Sequence, residues 1–502
     1  MRIFYRRPFG ALATYRPNST EKLNALLVRV LFIAICFVGI FLRVYLYAIN
    51  RSLALDEAML ALNIVEASSY SDLFGPLRYN QGAPLGFLLL EKFAISWLGN
   101  KDYVLRLVPL LAGIAAVILM YLVARHYTTV QSSIIVLTLF SLSEALIHYS
   151  SELKQYSSDA MIALILLLAT SNLLKNSAKP QSLIALAVAG SAALWMSHPA
   201  VFLLAAIGIT LAIAFFQNKT LSELPSLVTV GLFWAANLSA LYVLSLRYLA
   251  ANTDLTDYWR EAFMPLPPWS DYAWFYHALG GLLTYPSGLP ADTLTVVLLL
   301  FGAFSFLRKQ WQFASILILP FVLVLTASAS AAYPFSGRFL LFLVPLMLLL
   351  VAEGVEWIRS VLVRRFGAST AFFATVVLTA YLLYLPIVTA YENYLHPKLG
   401  EHIKPVMLYL SINRTHTDDV YVNHGAVPAF QYYAPFYEFR EGEYRYLKDI
   451  KHIGENRRSW FVFSHNKVDE EPLLLEHLDR IGSRKDKFLS IGSSAYLYEL
   501  GQ

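Results

Sequence analysis

Long apolar runs separated by short polar stretches dominate the chain as far as Tyr391. Crossing a bilayer as a helix takes about 20 mostly apolar residues. By that measure the expected spans are Leu26–Ile49, Val104–Val123, Ser132–His148, Ala160–Leu174, Leu183–Met196, Ala200–Phe216, Leu227–Leu246, Leu294–Leu307, Phe313–Ala331, Phe339–Ile358 and Ala371–Tyr391. Several are short, and their ends are soft by a few residues. No small-residue cleavage site follows the first run, so it is expected to stay as an anchor.

The segment Pro84–Leu98 is apolar but ambiguous, and charge decides it. Cytoplasmic loops collect Lys and Arg. Arg2, Arg6, Arg7, Arg16 and Lys22 precede the first span. Arg125, Lys175 with Lys179, Lys219, Arg308 with Lys309, and Arg359 with Arg364 and Arg365 lie in later loops. All of these share one side of the membrane only if Pro84–Leu98 lies along the surface as an amphipathic segment. About eleven transmembrane helices follow, with the N-terminus cytoplasmic. The loop from Asn50 to about Tyr103, the stretch Tyr149–Asp159, the loop from Arg247 to about Thr293 and the C-terminal region are then outside.

From Asn393 the pattern changes. Charge becomes dense, and β-like runs appear at Asp419–Asn423, Ser459–Ser464 and Ala495–Leu500. Between the last two, "EEPLLLEHLDRIG" reads as a helix stopped by Gly482. The expected organisation is a polytopic α-helical membrane domain over 1–392, with a first outer loop over about 50–103, and a small soluble α/β domain over 393–502.

Composition agrees with that class. The 502 residues are 57% hydrophobic and 15% charged, against about 25% charged in an average soluble domain. Mean hydropathy is +0.53. The net charge of +5 sits mostly in short loops, which marks topology and no nucleic-acid partner. Cys36 is the single cysteine, so no intrachain disulfide forms.

Candidate chemistry gathers on the outer face. Asp56 and Glu57 follow the first span with apolar flanks. A second acid-bearing stretch, "YSSELKQYSSD", returns to the same face. If it is helical, Glu152, Gln155, Tyr156 and Asp159 share one side. Ionisable groups there face water, each other or a ligand; the plain alternative is a solvated loop in which Lys154 pairs with Glu152 or Asp159. Arg338 opens a late span; it either snorkels to the head groups or grips a phosphate. His198, before Pro199, reads as structural. Glycine-rich phosphate loops, HExxH, CxxC and nucleophile-elbow patterns are all missing from the sequence.

The order of a basic arm, one span, "LDE", surface helices, "PLGFLLL" and "LRLVPLLAGIAAVILMYLVAR" resembles the GT-C integral-membrane glycosyltransferases. Within them it is most similar to the dolichyl-phosphate-mannose–protein mannosyltransferase-like group, which includes bacterial aminoarabinose transferases. Asp56 with Glu57, Ala83-Pro84-Leu85, Arg106-Leu107-Val108-Pro109 and the late Arg338–Leu346 carry the likeness, which spans about Leu26 to Pro345. Gln81-Gly82-Ala83-Pro84 stands where the family often has His-Pro-Pro. The resemblance implies inverting transfer of a sugar from a polyprenyl-phosphate donor to a lipid, polysaccharide or protein acceptor at the outer face of a bacterial inner membrane. Asp56 would be the base that deprotonates the acceptor, and Glu57 the second catalytic residue. Lys154 and Arg338 would hold the donor phosphate. Glu152, Tyr156, Asp159 and Tyr149 would bind substrate. A divalent metal ion on Asp56, Glu57 and Asp159 stays open, because some relatives use one. A polytopic transporter and a polysaccharide polymerase or ligase are the alternatives.

Overall fold

The computed structural model describes residues 19–171, 173–174, 180–218, 220–440, 442–447, 458–465 and 470–501. Lys175, Lys179, Lys219 and the four N-terminal arginines of the charge argument lie outside the described residues.

The chain builds a polytopic helical membrane fold topped by a small sheet. Among the described residues seven helices are long and apolar enough to cross a membrane, including Lys22–Ile49, Leu107–Tyr127, Gly337–Phe366 and Ala368–Leu395. A further candidate is broken. Val130–Leu142 and Glu144–Ser151 meet at a 55° bend, where Ser143 leaves the helical region with ψ at 118°. Tyr156–Thr170 and Pro180–Met196 are shorter apolar helices. Leu85–Leu98 has only 14 residues, about 21 Å, which falls short of the roughly 30 Å hydrocarbon core. One of its faces buries Phe87, Leu88 and Ile95 while Phe93 and Trp97 stay exposed.

The central helix is the one beginning at Val344. Every residue from Val344 to Glu356 is buried. Helix Thr293–Lys309 packs against it through Gly302 and Gly354, so closely that a Cβ on Gly354 would lie 2.0 Å from the Leu298 carbonyl oxygen. Small residues at such crossings are how membrane helices gain contact. Glu353, on the same face, accepts from Ser305 and Lys309, both at 2.6 Å.

After helix Ala368–Leu395 come helix Lys404–Asn413 and a five-stranded sheet. Its strands are β1 (Asp419–Val422), β2 (Arg445–Tyr446), β3 (Arg458–Ser464), β4 (Gly482–Ser490) and β5 (Ser493–Leu500), in the order β2-β1-β3-β5-β4. β1 pairs in parallel with β2 and β3; β5 is antiparallel to β3 and β4. Side chains alternate across the sheet. Tyr421, Phe461, Phe463 and Tyr498 pack with Leu474 and Leu478 of helix Glu470–Ile481. Val420, Val422, Trp460, Val462 and Leu497 join the apolar core that continues into the membrane helices. The sheet is therefore seated on the helical part through its second face.

Candidate active site

Helix Leu55–Glu66 carries Asp56 and Glu57 in its first turn, where the helix dipole favours negative charge. The two acids have opposite surroundings. Glu57 is wholly buried. Its Oε1 accepts from Arg106 Nε at 2.8 Å and from the Leu153 N–H at 2.8 Å; its Oε2 accepts from Arg106 Nη2 at 2.7 Å and Arg51 Nη1 at 3.1 Å. The Ala54 N–H also reaches Oε2, at 3.2 Å. Burial pushes this carboxyl up, but the Arg106 and Arg51 charges hold it well below the usual carboxylate range. Glu57 thus ties the start of its helix to the stretch before helix Tyr156–Thr170, and leaves no face for a ligand.

Asp56 keeps 37% of its side chain exposed and pairs with Arg338 Nη1 at 2.7 Å. Burial raises its carboxyl, and the nearby Lys154 and Arg338 charges more than offset that, so it is held below its ordinary range. Arg338 lies against the rings of Tyr156 and Trp259, each 5.7 Å from its Cζ. Its Nε is buried without a hydrogen-bond partner. Lys154 is buried and donates to Gln81 Oε1 at 2.8 Å. Burial pushes its ammonium down, Asp56 draws it up, and the net shift is downward.

Asp56, Lys154, Tyr156 and Arg338 therefore come together. The other expected residues stand apart. Glu152 is not on a helix face with Tyr156 and Asp159: its ψ of 135° is extended, and the helix starts after Gln155. Its carboxylate meets His148 Nε2 at 2.5 Å and Arg51 at 3.6 Å, so it backs the arginine clamp. Lys154 pairs with Gln81 rather than with Glu152 or Asp159. Tyr149 shares a 2.7 Å hydrogen bond with Tyr285 and meets Tyr156 edge-on at 4.9 Å. Asp159 is buried one turn into its helix, with Oδ1 unpartnered. His198 is pushed down to about 4 by burial, as suits a neutral structural residue. Of the three acids offered for a metal, Asp56 faces Arg338, Glu57 is enclosed by Arg106 and Arg51, and Asp159 keeps Oδ1 unpartnered. Among the described residues no group of three or more His, Cys, Asp or Glu is arranged to hold a metal ion.

The segment leading into Asp56 is gripped from several sides. Arg106 donates to the Arg51 and Ser52 carbonyls at 2.6 and 3.0 Å. Lys404 donates to the Asn50 carbonyl at 2.6 Å and to Asp102 at 2.7 Å. Tyr433 accepts from the Leu53 N–H at 2.9 Å and donates to Asp102 at 2.8 Å. Glu401 accepts from the Leu55 N–H at 2.8 Å. Arg106 was marked in the sequence by its place at the second span. Asp102, Glu401 and Tyr433 carry no such signal, because their partners lie hundreds of residues away.

No family model matches the chain, and no curated protein matches it. Solved structures do. ArnT from Cupriavidus metallidurans in the apo state is similar over 95% of this chain and 98% of its own, at 10% identity and a TM-score of 0.56. The same protein bound to undecaprenyl phosphate matches over 96% and 98%, at 12% identity and 0.54. The Archaeoglobus fulgidus oligosaccharyltransferase tethered to an acceptor peptide containing the NVT sequon matches over 94% of this chain and 74% of its own, at 11% identity and 0.50. At these identities the likeness establishes the fold that the protein shares with them.

Proposed function

We propose that the protein is an inverting membrane glycosyltransferase. It moves a sugar from a polyprenyl phosphate to an acceptor hydroxyl at the outer face of a bacterial inner membrane. The observation that carries this reading is the half-exposed Asp56 carboxylate set against Arg338 and Lys154, while its neighbour Glu57 is locked away. The shared fold supports it: one relative was solved with undecaprenyl phosphate and the other with an acceptor peptide. Residues 1–392 are the catalytic membrane domain and 393–502 the outer domain in this proposal.

Asp56 takes the proton of the acceptor hydroxyl as its oxygen attacks the anomeric carbon. The bond from that carbon to the phosphate oxygen breaks on the opposite side, and the electron pair leaves with the polyprenyl phosphate. Configuration therefore inverts. A general base of this kind contributes about 10²–10⁴-fold. The departing phosphate gains charge, and Arg338 and Lys154 are the cations at hand to balance it. Glu57 acts through the position of Asp56 and does not touch substrate. Tyr156 carries Arg338 against its ring, Tyr149 backs Tyr156 from behind, and Glu152 holds Arg51.

Purified protein in nanodiscs, offered a panel of polyprenyl-phosphate sugars and a membrane lipid extract, tests this. Wild type should release polyprenyl phosphate and label the extract with sugar, and Asp56→Asn should lose at least about 100-fold in rate. Undiminished transfer by Asp56→Asn would move the base elsewhere. No release from any donor would end the transferase reading.

A further inference from the structure

A histidine and a glutamate of the C-terminal region stand at the same helix start as Asp56. Glu401 spends its Oε2 on the Leu55 N–H, at 2.8 Å. Its Oε1 meets His465 Nδ1 in a short contact. A carboxylate only accepts, so Nδ1 carries the proton and Nε2 is the nitrogen left for a ligand. The His465 side chain is 51% exposed.

The pair is built into its place. His465 directly follows β3 with φ at 52°, a left-handed conformation uncommon outside Gly but one that His adopts more readily than most residues. Gly425 lies directly beneath it: a Cβ there would sit 2.5 Å from the His465 carbonyl oxygen. Glu401 is pinned from the other side. The His402 N–H donates to the Ile491 carbonyl at 2.7 Å, and Ser490 Oγ donates to the His402 carbonyl at 2.9 Å. Both side chains thus stand on the β4–β5 turn and the β3 end, which is the pre-organisation a site needs.

We infer that His465, oriented by Glu401, forms the acceptor-side half of the reaction centre, its Nε2 accepting a hydrogen bond from a hydroxyl on a lipid head group and steering it toward Asp56. The proposal rests on the transferase reading above. The choice of a lipid follows from the aromatic stretch that reaches Arg338 through Trp259. Tyr258, which packs on Trp259, and Trp269, Tyr272 and Tyr276 further along the same stretch are all exposed, and such amphipathic rings belong at the head-group level of a bilayer. Glu401 joins the two halves, because one oxygen caps the helix that carries Asp56 and the other fixes the imidazole.

Diethyl pyrocarbonate carbethoxylates exposed imidazoles, and peptide mass spectrometry reads each histidine separately. With the full chain in nanodiscs, a membrane lipid extract at ten times half-saturation should slow modification of His465 about 10-fold and leave His416 unchanged. Modification of His465 at the same rate with and without the extract overturns the proposal, as does protection by a serine- and threonine-containing peptide alone. This readout needs no turnover. If wild type transfers no sugar yet the extract protects His465, the lipid site stands and the transferase reading falls. Where transfer is seen, Glu401→Gln gives a second arm that keeps the fold. Its amide oxygen still caps Leu55, while its NH₂ donates to Nδ1 and turns Nε2 into a donor. Acceptor kcat/KM should drop about 10-fold with polyprenyl-phosphate binding unchanged. Unaltered acceptor kinetics in Glu401→Gln would also sink the idea.

Discussion

Two adjacent carboxylates do opposite work, and substitution should separate them. Glu57 is a buried charge held by two arginines, so Glu57→Gln leaves both arginines short of their counter-ion. Breaking a buried pair in this way costs about 3–5 kcal/mol, and the melting temperature in detergent should fall clearly. The Asp56–Arg338 pair is only partly buried, at 37% and 26% exposed, so breaking it costs less than breaking the buried one, and Asp56→Asn should melt closer to wild type than Glu57→Gln and still be inactive. Equal melting of the two variants would contradict the assignment. The pH dependence follows from the same cations. The Asp56 carboxyl is lowered in the folded protein, so the base is ionised at neutral pH and the acid limb of kcat/KM lies below the ordinary aspartate value of about 3.9. Arg338→Gln removes one lowering charge, and that limb should move to higher pH. Glu57, also lowered, stabilises the fold fully above the ordinary glutamate value of about 4.3 and loses that contribution as pH falls toward its folded value. Asp56, Lys154 and Arg338 were each legible in the sequence as costly charges at an apolar edge. Their meeting was not, since 282 residues separate Asp56 from Arg338 and no local pattern encodes which way each faces. The same blindness made Glu57 look like a second catalytic acid: adjacency in sequence says nothing about two buried arginines, one of them 49 positions away.

At the scale of elements, the close crossing of helices Thr293–Lys309 and Val344–Phe366 sets what the membrane part tolerates. A Cβ on Gly354 would meet the Leu298 backbone at 2.0 Å, and one on Gly302 the Leu350 carbonyl oxygen at 1.8 Å. Backbone must move to admit either. Gly354→Ala should therefore destabilise by about 1–3 kcal/mol or more. Gly231→Ala, in helix Leu224–Leu241 with nothing within 4 Å, should be neutral or slightly stabilising, as alanine is the better helix former. Thermal melts of the two in the same detergent decide it, and similar losses would argue against the close packing. Apolar runs gave away these helices because hydrocarbon demands length and apolarity. They did not reveal the bend at Ser143, since a break inside a bundle is satisfied by neighbours that no single run shows. They also missed the helix start at Tyr156, which makes Glu152 extended and detaches it from the face that its spacing suggested. In the sheet, β1, β3 and β5 stood out by their apolar residues. β4, "GSRKDKFLS", did not: it is an edge strand, and charge along an edge is how sheets avoid pairing with strangers.

At the scale of the molecule, sidedness reduces to one question, because the C-terminal region and the segment bearing Asp56 are clasped together. Glu401 caps the Leu55 N–H, Lys404 and Tyr433 share Asp102, and the inner face of the sheet continues the membrane core. Whichever side of the membrane holds the sheet also holds Asp56. The charge pattern predicts that this side is the outer one, with Arg364 and Arg365 inside. Two single cysteines test it in a Cys36→Ser background. Leu473→Cys lies on the sheet's covering helix, where Leu473 is 64% exposed, and Phe366→Cys at the basic end of the central helix, where Phe366 is 62% exposed. In intact cells a membrane-impermeant maleimide should label Leu473→Cys, and should reach Phe366→Cys only after permeabilisation. The reverse pattern would put Asp56 and its clasp on the cytoplasmic side, and transfer at the outer face would fall with it. Labelling of both in intact cells would break the parity itself. The sheet and the basic loop would then share a side, and helix Ala368–Leu395, which joins them, would not cross.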